Sequence, residues 1–153
     1  AGVPVLVDPA LSRSWSDYGQ VTLIKANWPE ATEAACIHDA RPLAMARLLA
    51  GRHACHVVVT LGGHGMVCAE REGGTSYVPA KRVEVRDVCG AGDTVFAAIG
   101  AAILGGESLG GACRFASFAA GRQVETLGIS STATIRAKGV CGTSKCNRRI
   151  PHI

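Results

Sequence analysis

The run Asp87-Val88-Cys89-Gly90-Ala91-Gly92-Asp93-Thr94 holds the residue types best suited to chemistry. It follows a strand-like stretch, Arg82-Val83-Glu84-Val85-Arg86, and opens an apolar helix-like stretch from Thr94 to Leu104. Gly90, Ala91 and Gly92 bring nearly bare backbone N–H groups to a helix start, where the helix dipole is positive. Such a start is a site for an anion, a phosphate above all. A carboxylate in the same turn repels a phosphate, so Asp93 calls for a task of its own. That task is to accept the proton of a hydroxyl that attacks the phosphate. A carboxylate is a weak base for an alcohol, but it serves if the proton leaves late in a loose phosphoryl transition state. The run is neither a Walker A loop nor a dinucleotide fingerprint, since it lacks both G-K-[ST] and G-x-G-x-x-G. It points to phosphoryl transfer onto an alcohol.

Other segments carry weaker signals. Asn27-Trp28-Pro29-Glu30, taken alone, reads as a helix start: Asn at the N-cap, Pro in the first turn and Glu three residues after the cap form a capping box. Thr60-Leu61-Gly62-Gly63-His64-Gly65 follows a Val-rich strand and is either a glycine turn or a nucleotide loop at the end of a sheet. His64 reads as an exposed turn residue. Asp8 ends a strand as part of Asp-Pro, and Lys25 closes another, where it could meet a phosphate or solvent. An adenine wall should be apolar, which directs attention to Ala116, Ala120 and Gly128, although apolar helix residues usually form core.

These residues need a scaffold. Val3 to Asp8, Val21 to Ala26, His56 to Leu61, Met66 to Arg71, Ser76 to Ala80 and Arg82 to Arg86 read as strands. Pro29 to Cys36, Arg41 to Arg52, Thr94 to Leu104 and Leu109 to about Val124 read as helices, the second with a clear apolar face. Residues 10–20 read as a polar loop, Glu72-Gly73-Gly74-Thr75 as a hairpin turn and Gly105-Gly106 as a helix stop. Alternating strands and helices predict a mostly parallel sheet covered on both faces, with antiparallel pairing at the hairpin.

The order and spacing of three segments resemble the ribokinase-like (PfkB-type) carbohydrate kinases: Asn27-x-x-Glu30, Thr60-x-Gly62-x-x-Gly65 and Gly90-Ala91-Gly92-Asp93. Within that family the chain is most similar to heptose-7-phosphate kinase domains of ADP-heptose synthesis. The segments that suggest this are 2–9, 18–24, Ala119-Ala120-Gly121 and Leu127-Gly128-Ile129-Ser130-Ser131. Cys89 stands where the family usually has Thr or Asn. The resemblance implies an α/β three-layer fold, of which residues 1–136 are the C-terminal nucleotide-binding and catalytic part and 137–153 a basic, poorly ordered tail. It implies ATP and Mg2+ as cofactors. Asp93 would be the base, and Gly90, Ala91 and Gly92 the anion hole. Asn27, Thr60, Gly62, Gly65, Ala116, Ala120 and Gly128 would lie around the nucleotide, and Glu30 would meet the metal through water. The implied reaction phosphorylates a sugar hydroxyl, C1 of D-glycero-D-manno-heptose 7-phosphate giving the 1,7-bisphosphate. Another sugar or nucleoside kinase of the family, or a nucleotide-binding fragment without complete catalysis, stays open. The implied partners are ATP, a sugar phosphate, the N-terminal half of the same kinase and a second copy in a homodimer.

Composition narrows the classes. A chain of 153 residues, 48% hydrophobic and 18% charged, suits one compact α/β domain. The net charge of +4 is concentrated: Arg136, Lys138, Lys145, Arg148 and Arg149 lie beyond residue 135 with no acid among them, which leaves the remainder at −1. That body offers no basic face for nucleic acid. Seven scattered cysteines suit free thiols in a reducing compartment, with Cys36, Cys68, Cys89 and Cys113 expected to be buried. Cys141, Cys146 and His152 lack the spacing and the fourth ligand of a zinc site. No stretch has signal-peptide or membrane-spanning character, so the expected location is cytoplasmic.

Overall fold

The computed structural model describes residues 2–11, 13–81 and 90–124. Among the described residues five strands form one sheet in the order β1 (Leu6–Val7), β2 (Leu23–Asn27), β3 (His56–Thr60), β4 (Met66–Ala69), β5 (Thr75–Val78). The first three are parallel, with Leu6 opposite Leu23 and Leu23 opposite His56. The last two pair antiparallel, as the hairpin signal predicts. Its turn closes through Glu70 N to Gly74 O at 2.7 Å and Gly73 N to Glu70 O at 2.9 Å, with Gly73 at φ +104°.

Strand alternation builds two cores. Ile24, Ala26, Val57, Val59, Val67 and Ala69 pack with helices α1 (Trp28–Ala35) and α2 (Pro42–His53). Leu23, Val58, Met66, Cys68 and Val78 point the other way, into the face covered by α3 (Ala91–Leu104) and α4 (Leu109–Val124). The sheet is therefore the middle of three layers. Leu23, Ile24, Leu49, Val57, Val58, Val59 and Ile99 are fully buried, and each contributes about 1.5–3 kcal/mol by leaving water.

Several boundaries differ from the sequence expectation. β1 is two residues rather than six, because Val3 and Val5 are exposed and only Leu6 and Val7 find a strand partner in β2. Within the loop after β1, Trp15–Tyr18 wind into a 3-10 turn, and Trp15 is buried in the core with its ring 5.4 Å from that of His53. Cys36 is not a buried thiol. It ends α1 in the left-handed region at φ +57° and is exposed, because the chain turns away from the core there. α3 begins at Ala91 rather than Thr94, so Gly92 and Asp93 belong to its first turn. The expected strand 82–86, Cys89, Gly128 and the basic tail lie outside the described residues.

Candidate active site at the ends of the parallel strands

The face of the sheet under α3 and α4 changes character along each parallel strand. On β2, Leu23 lies in the core, while Lys25 and Asn27, on the same side by alternation, lead to the strand's C-terminal end. On β3, Val58 is followed two residues later by Thr60. After β1, Asp8 continues the side of Leu6. The polar residues thus collect at the C-terminal ends of the parallel strands, where open α/β sheets bind ligands.

Lys25 is 5% exposed, an uncommon state for lysine. Its Nζ donates to Asp8 Oδ2 at 2.7 Å, and Asp8 keeps contact with solvent. Against the same ammonium lies the start of α3: a Cβ built on Gly92 would stand 3.6 Å from Lys25 Nζ. Gly90 is the N-cap at φ +74°, a conformation that glycine takes without strain, and it offers no side chain to cap the helix. The first-turn N–H groups of α3 therefore sit beside a lysine cation, and Asp93 stands exposed among them. The combination suits a phosphate with a base next to it.

Asn27 and Glu30 form the complete capping box of α1. Asn27 Oδ1 accepts from Glu30 N at 2.9 Å, and Glu30 Oε2 accepts from Asn27 N at 2.8 Å. The structural reading of this pair therefore holds, and one oxygen of Glu30, Oε1, lies outside the box. Thr60 Oγ1 donates to Ala26 O at 3.4 Å, which ties the loop after β3 to the end of β2. Asn27, Thr60 and Gly62 line one depression of about 650 Å³, together with Trp28, Pro29, Pro42, Leu61, His64 and Tyr77. Gly62 is exposed at φ +58°. His64 is exposed, and its carbonyl accepts from Tyr77 Oη at 2.6 Å, in keeping with a turn residue.

Gly65 has a packing reason of its own. A Cβ there would come within 2.2 Å of Val78 O and 2.5 Å of Ala80 N, and its φ is +98°. On α4, Ala116 has no exposed surface and belongs to the core, whereas Ala120 is half-buried and retains surface. Sequence reading missed the walls made by Trp28, Pro42, Leu61 and Tyr77. It also weighed Asp8 and Lys25 separately, without their pairing.

Among the described residues no group of three or more His, Cys, Asp or Glu side chains could hold a metal ion. A resident metal does not fit that donor set. A magnesium ion that arrives on nucleotide phosphates keeps most of its waters and needs no such protein cage; Glu30 itself lines a separate depression with Trp15, Arg52 and His53. Among the described residues no helix is long and apolar enough to cross a membrane.

Residues 1–136 match the model of the pfkB family of carbohydrate kinases. The chain is 40% identical over 151 residues to the bifunctional protein HldE of Caulobacter vibrioides, covering 94% of this chain and 30% of that protein. It is 36% identical over 144 residues to HldE of Geobacter metallireducens, covering 92% and 29%. It thus spans about a third of the length of these relatives. Among solved structures, adenosine kinase from Sinorhizobium meliloti superposes with a TM-score of 0.65 at 30% identity, over 76% of this chain and 36% of that one. Ribokinase from Thermotoga maritima superposes with a TM-score of 0.71 at 21% identity, over 82% and 43%, which bears on the fold. With the order of its motifs, its three-layer fold and the family match over residues 1–136, the chain belongs to the pfkB family of carbohydrate kinases.

Proposed function

We infer that this chain is the nucleotide-binding and catalytic part of an ATP-dependent sugar kinase. The observation that carries the reading is the start of α3, where Gly92 lies against the ammonium of Lys25 and Asp93 stands exposed in the same glycine-bordered turn. Asp93 takes the proton of the acceptor hydroxyl. The N–H groups of Gly90, Ala91 and Gly92 hold the transferred phosphoryl group as negative charge shifts on it. Lys25, oriented by Asp8, offsets that charge from the sheet side. Asn27, Thr60 and Gly62 flank the rest of the nucleotide, and the half-buried Ala120 serves as part of the wall for the base. Bound magnesium neutralises phosphate charge, and Glu30 would hold it through water.

The acceptor proposed is the C1 hydroxyl of a heptose 7-phosphate. It rests on the likeness of the segments 2–9 and 18–24 to heptose-7-phosphate kinase domains and on 36–40% identity to HldE proteins. The reaction would supply a sugar 1,7-bisphosphate for nucleotide-sugar synthesis in the cytoplasm. The chain's coverage of about 30% of HldE favours a second reading, in which this piece binds nucleotide and needs further chain to turn over.

Calorimetric titration of the chain with a non-hydrolysable ATP analogue tests the nucleotide site. Saturable binding that weakens without magnesium is expected; a folded chain that does not bind the analogue would refute the reading. Addition of the N-terminal half and a panel of sugars then separates the two readings and identifies the acceptor. Turnover on a sugar other than heptose 7-phosphate overturns the substrate assignment alone.

A further inference from the structure

A depression of about 400 Å³ lies between the segment after β1 and helix α1, and it shares no lining residue with the one beside Asn27 and Thr60. Leu11, Arg13 and Trp15 line it from that segment, and Arg52 and His53 from the end of α2. Glu30, Glu33 and Ala34 come from one face of α1, being three and four residues apart. Arg13 and Arg52 bring positive charge, Glu30 and Glu33 negative charge, yet these four form no ion pair with one another. The Arg13 guanidinium lies 4.8 Å over the Tyr18 ring, and Arg52 Nη1 donates to Ala34 O at 3.1 Å and to Ala35 O at 3.4 Å. Glu30 spends Oε2 on the capping box. The Glu33 carboxylate is on an exposed residue and has no partner among the described residues. Between these charges stand the buried Trp15 and the half-buried His53, whose Nε2 is buried without a hydrogen-bond partner. Native folds leave few such atoms unpaired. Opposite charges held apart across a gap, with an orphan nitrogen in its wall, form an arrangement that the fold itself does not require.

We propose that this depression binds a small zwitterion, an apolar α-amino acid, between the carboxylates of α1 and the guanidinium of Arg13. The ammonium lies against Glu33 and the second oxygen of Glu30, and the carboxylate against Arg13. The side chain covers Leu11, Ala34 and the edge of Trp15. Burial, and then the charge of Arg52, keeps the His53 imidazole neutral, so its Nε2 can accept a proton of the ammonium. Other classes fit less well. An anion alone would meet two carboxylates, and a cation alone two guanidinium groups. An uncharged apolar molecule would strip water from all four charges and return nothing. The volume is at the low end for ligand pockets and suits a molecule smaller than a nucleotide. The site uses neither Asp93, Lys25 nor the loop after β3, so it does not rest on the kinase reading.

Calorimetric titration of the full chain with L-alanine, L-valine and L-leucine, without nucleotide, tests the proposal. Saturable binding of at least one of them, at one molecule per chain, is expected. For leucine the matched controls are 4-methylpentanoate, which lacks the ammonium, and isopentylamine, which lacks the carboxylate. Each should bind at least about 10-fold more weakly, since each gives up one charged contact. Glu33→Gln and Arg13→Gln change exposed residues, so both variants should unfold at the native midpoint. Each should lower the affinity for the amino acid by about 10-fold or more. Glu72→Gln, in the exposed hairpin turn outside the depression, should leave it unchanged. Absence of saturable binding for all three amino acids overturns the proposal. A one-charge analogue that binds as tightly as leucine overturns the zwitterion, and native affinity in both Glu33→Gln and Arg13→Gln overturns the location. None of these outcomes bears on the nucleotide site, which the ATP-analogue titration tests separately.

Discussion

Lys25 Nζ lies 3.6 Å from where a Cβ on Gly92 would stand, while Asp8 Oδ2 holds the same ammonium at 2.7 Å. A buried cation is thus fixed between a strand-end carboxylate and the first turn of a helix. Lysine at this depth needs a partner, and a single carboxylate that keeps contact with solvent leaves charge for an arriving anion. Lys25→Met should weaken ATP about 10- to 100-fold, the range for a lost charged hydrogen bond. Adenosine should bind as before. Calorimetry with both ligands checks this, and equal losses for the two would show that the lysine serves only the fold.

Asp93 is exposed in the first turn of α3, and no side chain caps that helix end. Asp93→Asn keeps the shape and removes the base. In a kinase completed by its N-terminal half, kcat should fall about 10²- to 10⁴-fold, the usual contribution of a general base. ATP affinity should stay within a few-fold. Turnover at the native rate would remove Asp93 from the mechanism.

The local parts of this arrangement were legible in the sequence and the long-range parts were not. The capping box spans four residues, so Asn27, Pro29 and Glu30 announce it by type and spacing alone. The stop of α3 at Gly105 and the turn at Gly73 are equally local. The approach of Asp8, Lys25 and Gly92 depends instead on the register of β1 against β2 and on how α3 crosses the sheet. Pairs 17 and 67 residues apart in the chain leave no periodic trace. Trp15 shows the same limit: the polar residues around it suggest a loop, yet its ring is buried against His53 by packing that only the fold supplies.

Glu30 has two claims on it, and they are separable. Glu30→Gln keeps an oxygen that can accept from Asn27 N, so the box and the stability should survive. The charge is lost, so the magnesium dependence of ATP binding should shrink. Asn27→Ala breaks the box and should cost about 1 kcal/mol in denaturant unfolding. A Glu30→Gln protein that loses stability and retains full magnesium dependence would leave only the capping role.

Gly65 is held by contact with the end of β5. Gly65→Ala puts a methyl group against Val78 O and Ala80 N and forces φ +98° on an L-residue. The cost should be about 2–4 kcal/mol, since strain and overlap add. Gly63→Ala, two residues earlier with open space around its Cβ, is the control and should change little. Urea titration of the two variants decides whether packing fixes this loop.

His53 connects the fold to pH. Its Nε2 is buried without a hydrogen-bond partner, and burial first, then the charge of Arg52, lowers its pKa below 6.5. The unfolded chain therefore binds this proton more readily than the folded one. Stability should be at its full value above about pH 6.5 and decline as pH falls from there toward the lowered folded pKa. His53→Phe keeps a ring against Trp15, removes the titrating group and leaves no polar atom unpaired. Thermal unfolding of both proteins between about pH 5 and 8 should show a shallower acid decline in the variant, with its midpoint at pH 5 equal to or above that of the native chain. Parallel declines in the two proteins would assign the acid sensitivity to other groups.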